Sequence, residues 1–218
     1  MPLSMWIVST CDSAPEILEQ LNGCRSVNVQ GIVVRKSVVP PDPSRHIFCP
    51  NDPWESDLLS NSPIDILLCA GYPRKIGSRV LSRCQLGGFN VHPSLLPLYA
   101  GKMPRQQIYK DQYPWAGITV HELTEHFDAG PIVLQLRCAL PVPYSLEHLA
   151  RVEEQLTVSA IQAFLRLIES TGSPASIPQE TTQLNLGEAR RHRFGRERCG
   201  SCVSIALRGN IVRADTFS

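Results

Sequence analysis

Short, nearly continuous apolar runs separated by polar, Gly- and Pro-rich stretches fill residues 6–140, and after residue 145 the apolar positions switch to a helical spacing. The runs at 6–8, 27–34, 64–71, 88–92, 117–124 and 131–140 have the length and punctuation of buried strands. Between the first two, Ser13-Ala14-Pro15-Glu16 supplies a cap, an early proline and an acidic first turn, which predicts a helix to about Leu21. Strand, helix and strand in that order predict a parallel crossover. Residues 35–63 are Pro-rich and polar, with a short strand expected at 46–50 and a short helix opened by Asp52-Pro53.

Behind Ser145, a suitable N-cap, Leu149, Val152, Leu156, Ala160, Ile161, Phe164, Leu165 and Ile168 mark one face of a long helix that should pack on the sheet. Glu153 lies on that same apolar face, where a carboxylate must either snorkel to the edge or meet a cation. After Ser170 the chain turns rich in Ser, Pro, Thr and Gln, and 202–207 and 211–214, separated by Arg208-Gly209-Asn210, predict a terminal hairpin. The pattern gives an α/β fold: a Rossmann-like open, mainly parallel sheet flanked by helices, with a short C-terminal β-hairpin extension. Residues 1–186 are expected to form the catalytic domain and 187–218 a basic tail with the hairpin.

A chain of 218 residues with 43% hydrophobic content can bury a full core as one domain. Its formal charge of +1 supplies no global basic field, so a dedicated nucleic-acid binder is not expected. No stretch reads as a membrane span or a secretory leader, and the expected location is the cytoplasm, with no membrane partner. Of the eight cysteines, Cys69 and Cys138 sit in apolar stretches as small hydrophobes, and only Cys199 and Cys202 form a Cys-x-x-Cys pair. With His192 as the nearby imidazole, that pair falls short of four metal ligands at defined spacing, so no metal is expected. No Gly-x-Gly-x-x-Gly or Walker pattern follows the first strand, which disfavours a nicotinamide dehydrogenase.

The chemistry concentrates in Gly88-Phe-Asn-Val-His-Pro-Ser-Leu-Leu-Pro-Leu-Tyr-Ala-Gly101 and in Asp128-Ala-Gly-Pro, which begins 36 positions after His92. Asn90 and His92, two apart on a strand, face the same side; an amide there can donate to a developing oxyanion, and a carboxylate can hold and charge the imidazole. Separately, Asn90 and His92 would also suit the pairing of backbone groups at a strand end, and Asp128 would suit a turn. Their combination with Pro-Ser-Leu-Leu-Pro and Asp-x-Gly-Pro resembles the signature of the folate-dependent formyltransferases, a likeness that covers residues 64–168 well and 5–63 loosely.

The resemblance implies a formyl group moved from 10-formyltetrahydrofolate, the co-substrate, to an amine, with Asn90, His92 and Asp128 as the catalytic residues. It also implies that two loops wrap the folate: Tyr72, Pro73, Arg74, Lys75 and Ile76 in one, Glu125, His126 and Phe127 in the other. Glu153 and Ser94 fall on the acceptor side. The expected partners are folate and a small-molecule amine, either a nucleotide-linked amino sugar or an amino acid or peptide intermediate of secondary metabolism. Ser9-Thr10-Cys11-Asp12-Ser13 carries no glycine where the glycinamide ribonucleotide enzymes close a phosphate loop, which speaks against a purine-pathway substrate. The arginines at 190–198 either bind a phosphorylated acceptor or form a solvated tail, and the tail is expected to serve acceptor binding or homodimer contacts. Two other readings stay open: a formyltetrahydrofolate hydrolase, in which water replaces the amine, and a non-catalytic folate-binding regulator.

Overall fold

The computed structural model describes residues 2–35, 37–38, 46–60, 63–179, 203–207 and 210–214. Strand β1 (Leu3–Ser9) lies in the middle of the parallel half of the sheet, between β2 (Val27–Val34) and β4 (Ile64–Ala70). Helix α1 (Ala14–Gly23) carries the chain from β1 to β2, the crossover expected from its cap and first turn. Outside β2 lies the short β3 (His46–Phe48), and helix α2 (Trp54–Ser60) follows Pro53, so the compressed Pro-rich edge does carry both expected elements.

Beyond β4 the sheet continues through β5 (Cys84–His92), β6 (Trp115–Glu122) and β7 (Ile132–Ala139). Only β6 opposes the common direction among these seven strands, pairing antiparallel with both neighbours. The hairpin β8 (Val203–Leu207) and β9 (Asn210–Ala214) adds antiparallel to β7 and completes a nine-stranded sheet of order β3-β2-β1-β4-β5-β6-β7-β8-β9. Cys199, Cys202, His192 and the arginines at 190–198 lie outside the described residues.

The central strands read as unbroken apolar runs because both their faces are covered. On β1, Met5 and Ile7 face the layer built by α1 and the long α5 (Leu146–Thr171), while Trp6 and Val8 face the layer built by α2. On β4, Ile66 and Leu68 divide from Leu67 and Cys69 in the same way. Gly31 is required by this packing, because a Cβ there would stand 2.4 Å from the Trp6 ring. In α5 the Ser145 hydroxyl accepts from the His148 N–H, and the expected apolar stripe is buried except for the half-buried Val152, with Glu153 among it. No described helix is long and apolar enough to cross a membrane.

Two short helices escaped the pattern, α3 (Ser78–Leu81) and α4 (Pro104–Lys110). Neither is long enough to show a helical period, and α4 is entered through Met103 in the left-handed region, with Pro104 as its first residue.

Candidate active site

A cleft of about 600 Å³ opens outside the carboxyl ends of β4 and β5, the usual position of a ligand crevice in an open α/β sheet. Asn90 and His92 reach it from β5, and Asp128 from the loop between β6 and β7. That loop approaches β6 so closely that a Cβ on Gly130 would lie 1.9 Å from the Glu122 carbonyl oxygen, which is why glycine stands there. Asp128 adopts φ 53°, a left-handed conformation that Asp tolerates better than most residues. The Gln179 side-chain amide donates to the carbonyls of Asp128 (2.6 Å) and Gly130 (2.9 Å) and holds the turn.

The three expected residues form one cluster with a fourth, His121, which is paired in register with Asn90 across β5 and β6. The His121 Nδ1–H donates to the Glu122 carbonyl at 2.8 Å, and Nε2 lies 3.1 Å from the Asn90 amide and 3.5 Å from Asp128 Oδ1. Asn90 Nδ2 also lies 3.5 Å from Asp128 Oδ1, so the amide expected to serve an oxyanion is turned toward His121 and Asp128. The His92 Nε2–H donates to the Tyr99 carbonyl at 3.1 Å, which directs Nδ1 toward Asp128 Oδ1, 3.4 Å away. Asp128 Oδ2 accepts from the Gly101 N–H at 2.9 Å.

These contacts set the charges. Burial pushes His92 below its ordinary value, and it outweighs the Asp128 charge and the Tyr99 carbonyl, which pull upward. The Asp128 charge thus acts toward imidazolium, the expected direction, against a larger desolvation effect. Burial also pushes Asp128 up, but contacts with His121, His92 and the Gly101 amide together hold it below the usual carboxylate range. The resting site is therefore an ionised carboxylate beside an imidazole that prefers to be neutral.

Tyr72, Pro73, Arg74, Lys75 and Ile76 all line the same cleft, as do His126 and Phe127. The Tyr72 hydroxyl accepts from the Trp54 Nε1–H at 3.2 Å and the Arg74 Nε–H at 3.0 Å, and the Arg74 guanidinium lies 5.3 Å from the Tyr72 ring centroid. Trp54 in turn packs on Trp6, with ring centroids 6.3 Å apart. Gly71 turns the chain out of β4 at φ 71°.

Three expected site residues are not brought to the cleft. Glu125 is exposed but does not line it. Ser94 is 0% exposed, because its hydroxyl donates inward to the Leu98 carbonyl at 2.7 Å and Thr119 donates to its carbonyl at 2.7 Å. Glu153 is 1% exposed beneath Arg105, whose Nε meets Oε2 at 2.6 Å, while Oε1 has no hydrogen-bond partner. Burial pushes this carboxyl up to about 7 against the pull of Arg105.

Conversely, His121 and the segment 101–104 line the cleft without having been singled out. An imidazole within the predicted strand 117–124 was the available sign for His121. For 101–104 there was none, since the left-handed residues that shape it include Tyr99 and Met103.

A family model described as formyl transferase matches residues 51–164. The methionyl-tRNA formyltransferase of Thermotoga maritima is 29% identical over 183 residues, covering 75% of this chain and 58% of that protein. The chain spans about half the length of the curated relatives it matches. Among solved structures, a phosphoribosylglycinamide formyltransferase from Anaplasma phagocytophilum superposes with TM-score 0.65 at 19% identity, covering 78% of this chain and 88% of that one. A likely sugar N-formyltransferase from Mycobacterium tuberculosis, Rv3404c, superposes with TM-score 0.63 at 18% identity, covering 81% and 71%. At these identities the structural likeness speaks for the fold.

Proposed function

Because the chain belongs to the formyl transferase family, we propose that it moves the formyl group of 10-formyltetrahydrofolate onto the primary amine of a small metabolite. The observation that carries this reading is the joining of Asn90, His92, His121 and Asp128 at the wall of the cleft that also holds the 72–76 turn. The cleft suits the co-substrate: its volume falls within the roughly 300–1,000 Å³ usual for small-molecule sites. Its walls combine apolar side chains of Ile76, Val91 and Leu123 with two turns whose peptide groups can meet the amide-like edge of a pterin. When bound, the folate supplies an activated formyl group on N10.

The chain's own part follows from the contacts. The Tyr99 carbonyl fixes the His92 proton on Nε2, so Nδ1 is the basic atom and can take the proton that the amine loses. Asp128, ionised and 3.4 Å away, stabilises the imidazolium so formed, and that proton is returned to N10 as the bond between the formyl carbon and N10 breaks. Asn90 Nδ2 carries two hydrogens; the one directed only weakly at Asp128 is available to an oxygen on which negative charge develops. Such a donor lowers a barrier by about 3–4 kcal/mol. His121 orients that amide.

We further propose that the acceptor is a nucleotide-linked amino sugar or an amino acid or peptide intermediate. The turn after β1 supports this against a glycinamide ribonucleotide, because Asp12, paired with Arg35 at 3.0 Å, places a carboxylate where a phosphate loop would need bare amides. The catalytic unit in this reading is 1–186, with the 187–218 segment attached through the pairing of β8 with β7. Incubating the protein with 10-formyltetrahydrofolate and pooled amines, read by mass spectrometry for the gain of one formyl group, tests it. A formylated amine is expected. Folate consumed without one would mean a hydrolase, and folate bound but not consumed a regulator.

A further inference from the structure

Tyr99 and Gly101, whose carbonyl and N–H hold His92 and Asp128, belong to one strap, residues 99–104, between β5 and α4. The strap is conformationally costly. Within five residues Tyr99 (φ 56°), Gly101 (φ 89°) and Met103 (φ 58°) all adopt left-handed backbone, which residues with a Cβ avoid. Such a path persists only where the surroundings impose it. At its near end the Tyr99 hydroxyl donates to Asp111 at 3.1 Å. At its far end the chain passes through Pro104 into Arg105, whose Nε is held at 2.6 Å by Glu153 of α5.

Glu153 is a poor choice if stability alone were at stake. It is buried in the apolar face of a helix, Oε1 is left without a partner, and a buried ion pair of this kind seldom outperforms apolar packing. What such a pair does supply is direction: a charge-assisted bond from the rigid α5 to Arg105 in the first turn of α4, where the strap ends.

We propose that Glu153, acting through Arg105, is a positioning residue that keeps the 99–104 strap in its left-handed path and so keeps His92 and Asp128 in reacting register. The proposal rests on the formyl-transfer reading for its kinetic consequence but not for its structural one. Removing the Glu153 charge leaves the folate-facing turn 72–76 intact and slackens the strap.

The test uses the full chain with Glu153→Gln, Arg105→Gln and Arg105→Lys. Amide exchange followed by NMR should show the Gly101 N–H exchanging at least about tenfold faster in Glu153→Gln and Arg105→Gln, with the amides of β5 unchanged. Turnover should fall by about tenfold to a hundredfold, with the Michaelis constant for 10-formyltetrahydrofolate within about twofold of wild type. Arg105→Lys, which keeps the charge, should recover most of both. If Glu153→Gln fails to fold, Arg105→Gln carries the same comparison, since Arg105 is the partly exposed partner. Unchanged exchange at Gly101 would overturn the proposal whatever the turnover, and faster exchange with undiminished turnover would overturn it equally. A wild type without turnover on any amine would sink the formyl-transfer reading instead, and the exchange of Gly101 alone would then decide the positioning.

Discussion

His92 and Asp128 are separated by 3.4 Å and oppose each other's electrostatics unevenly. Burial depresses the imidazole, and the carboxylate only partly restores it, so the base proposed here favours its unprotonated form. The sign follows: turnover should be lost as pH falls and His92 takes up a proton, with a midpoint below the ordinary histidine value of about 6.5. Asp128→Asn removes the charge that raises His92. The acid limb of the pH–rate profile should then move to still lower pH while the plateau drops by about 10²- to 10⁴-fold, folate affinity being retained. Stopped-time assays across pH with the wild type and Asp128→Asn check both. A plateau close to wild type would reduce Asp128 to a turn residue.

Among the elements, the β6–β7 connection is the most tightly specified, because Gly130 touches the β6 backbone itself rather than a side chain that could yield. Gly130→Ala must push the loop outward, carrying Asp128 away from Gly101 and His92. The expected result is a loss of about 1–3 kcal/mol in thermal or denaturant unfolding, with turnover falling further than folate affinity. A variant with wild-type turnover would show that Asp128 tolerates the displacement. The legibility of the chain divides along the same line. Strands buried on both faces announce themselves as apolar runs, and α5 announces itself through Ser145 and its stripe, so the sheet and its longest helix were readable, although β1 and β5 begin three and four residues before their apolar runs. Asn90, His92 and Asp128 were readable because their spacing is a motif. Ser94 and Glu153 carry chemistry-bearing side chains too, but whether such a group faces a cleft or the interior depends on neighbours 25 or 48 positions away, Thr119 and Arg105, which no local pattern reveals.

In the molecule as a whole, the two layers divide the labour. The α1–α5 side carries most of the buried apolar residues and the Glu153 anchor, while the α2 side is smaller and holds an aromatic row, Phe48, Trp6, Trp54 and Tyr72, from the sheet edge to the cleft. That row has an optical consequence. Trp54 lies 5.8 Å from the Tyr72 ring, edge on, and its indole N–H is bonded to the Tyr72 hydroxyl, so whatever settles against Tyr72 alters the polarity and the electronic coupling felt by a buried fluorophore. Of the three tryptophans, Trp115 lies apart from this row, under Arg137. The protein should therefore report occupancy of its cleft by its own emission: titration with a folate is expected to quench or shift a signal that Trp54→Phe abolishes and Trp115→Phe preserves. A response that followed Trp115 instead would put the ligand away from this row and from the cleft beside Tyr72.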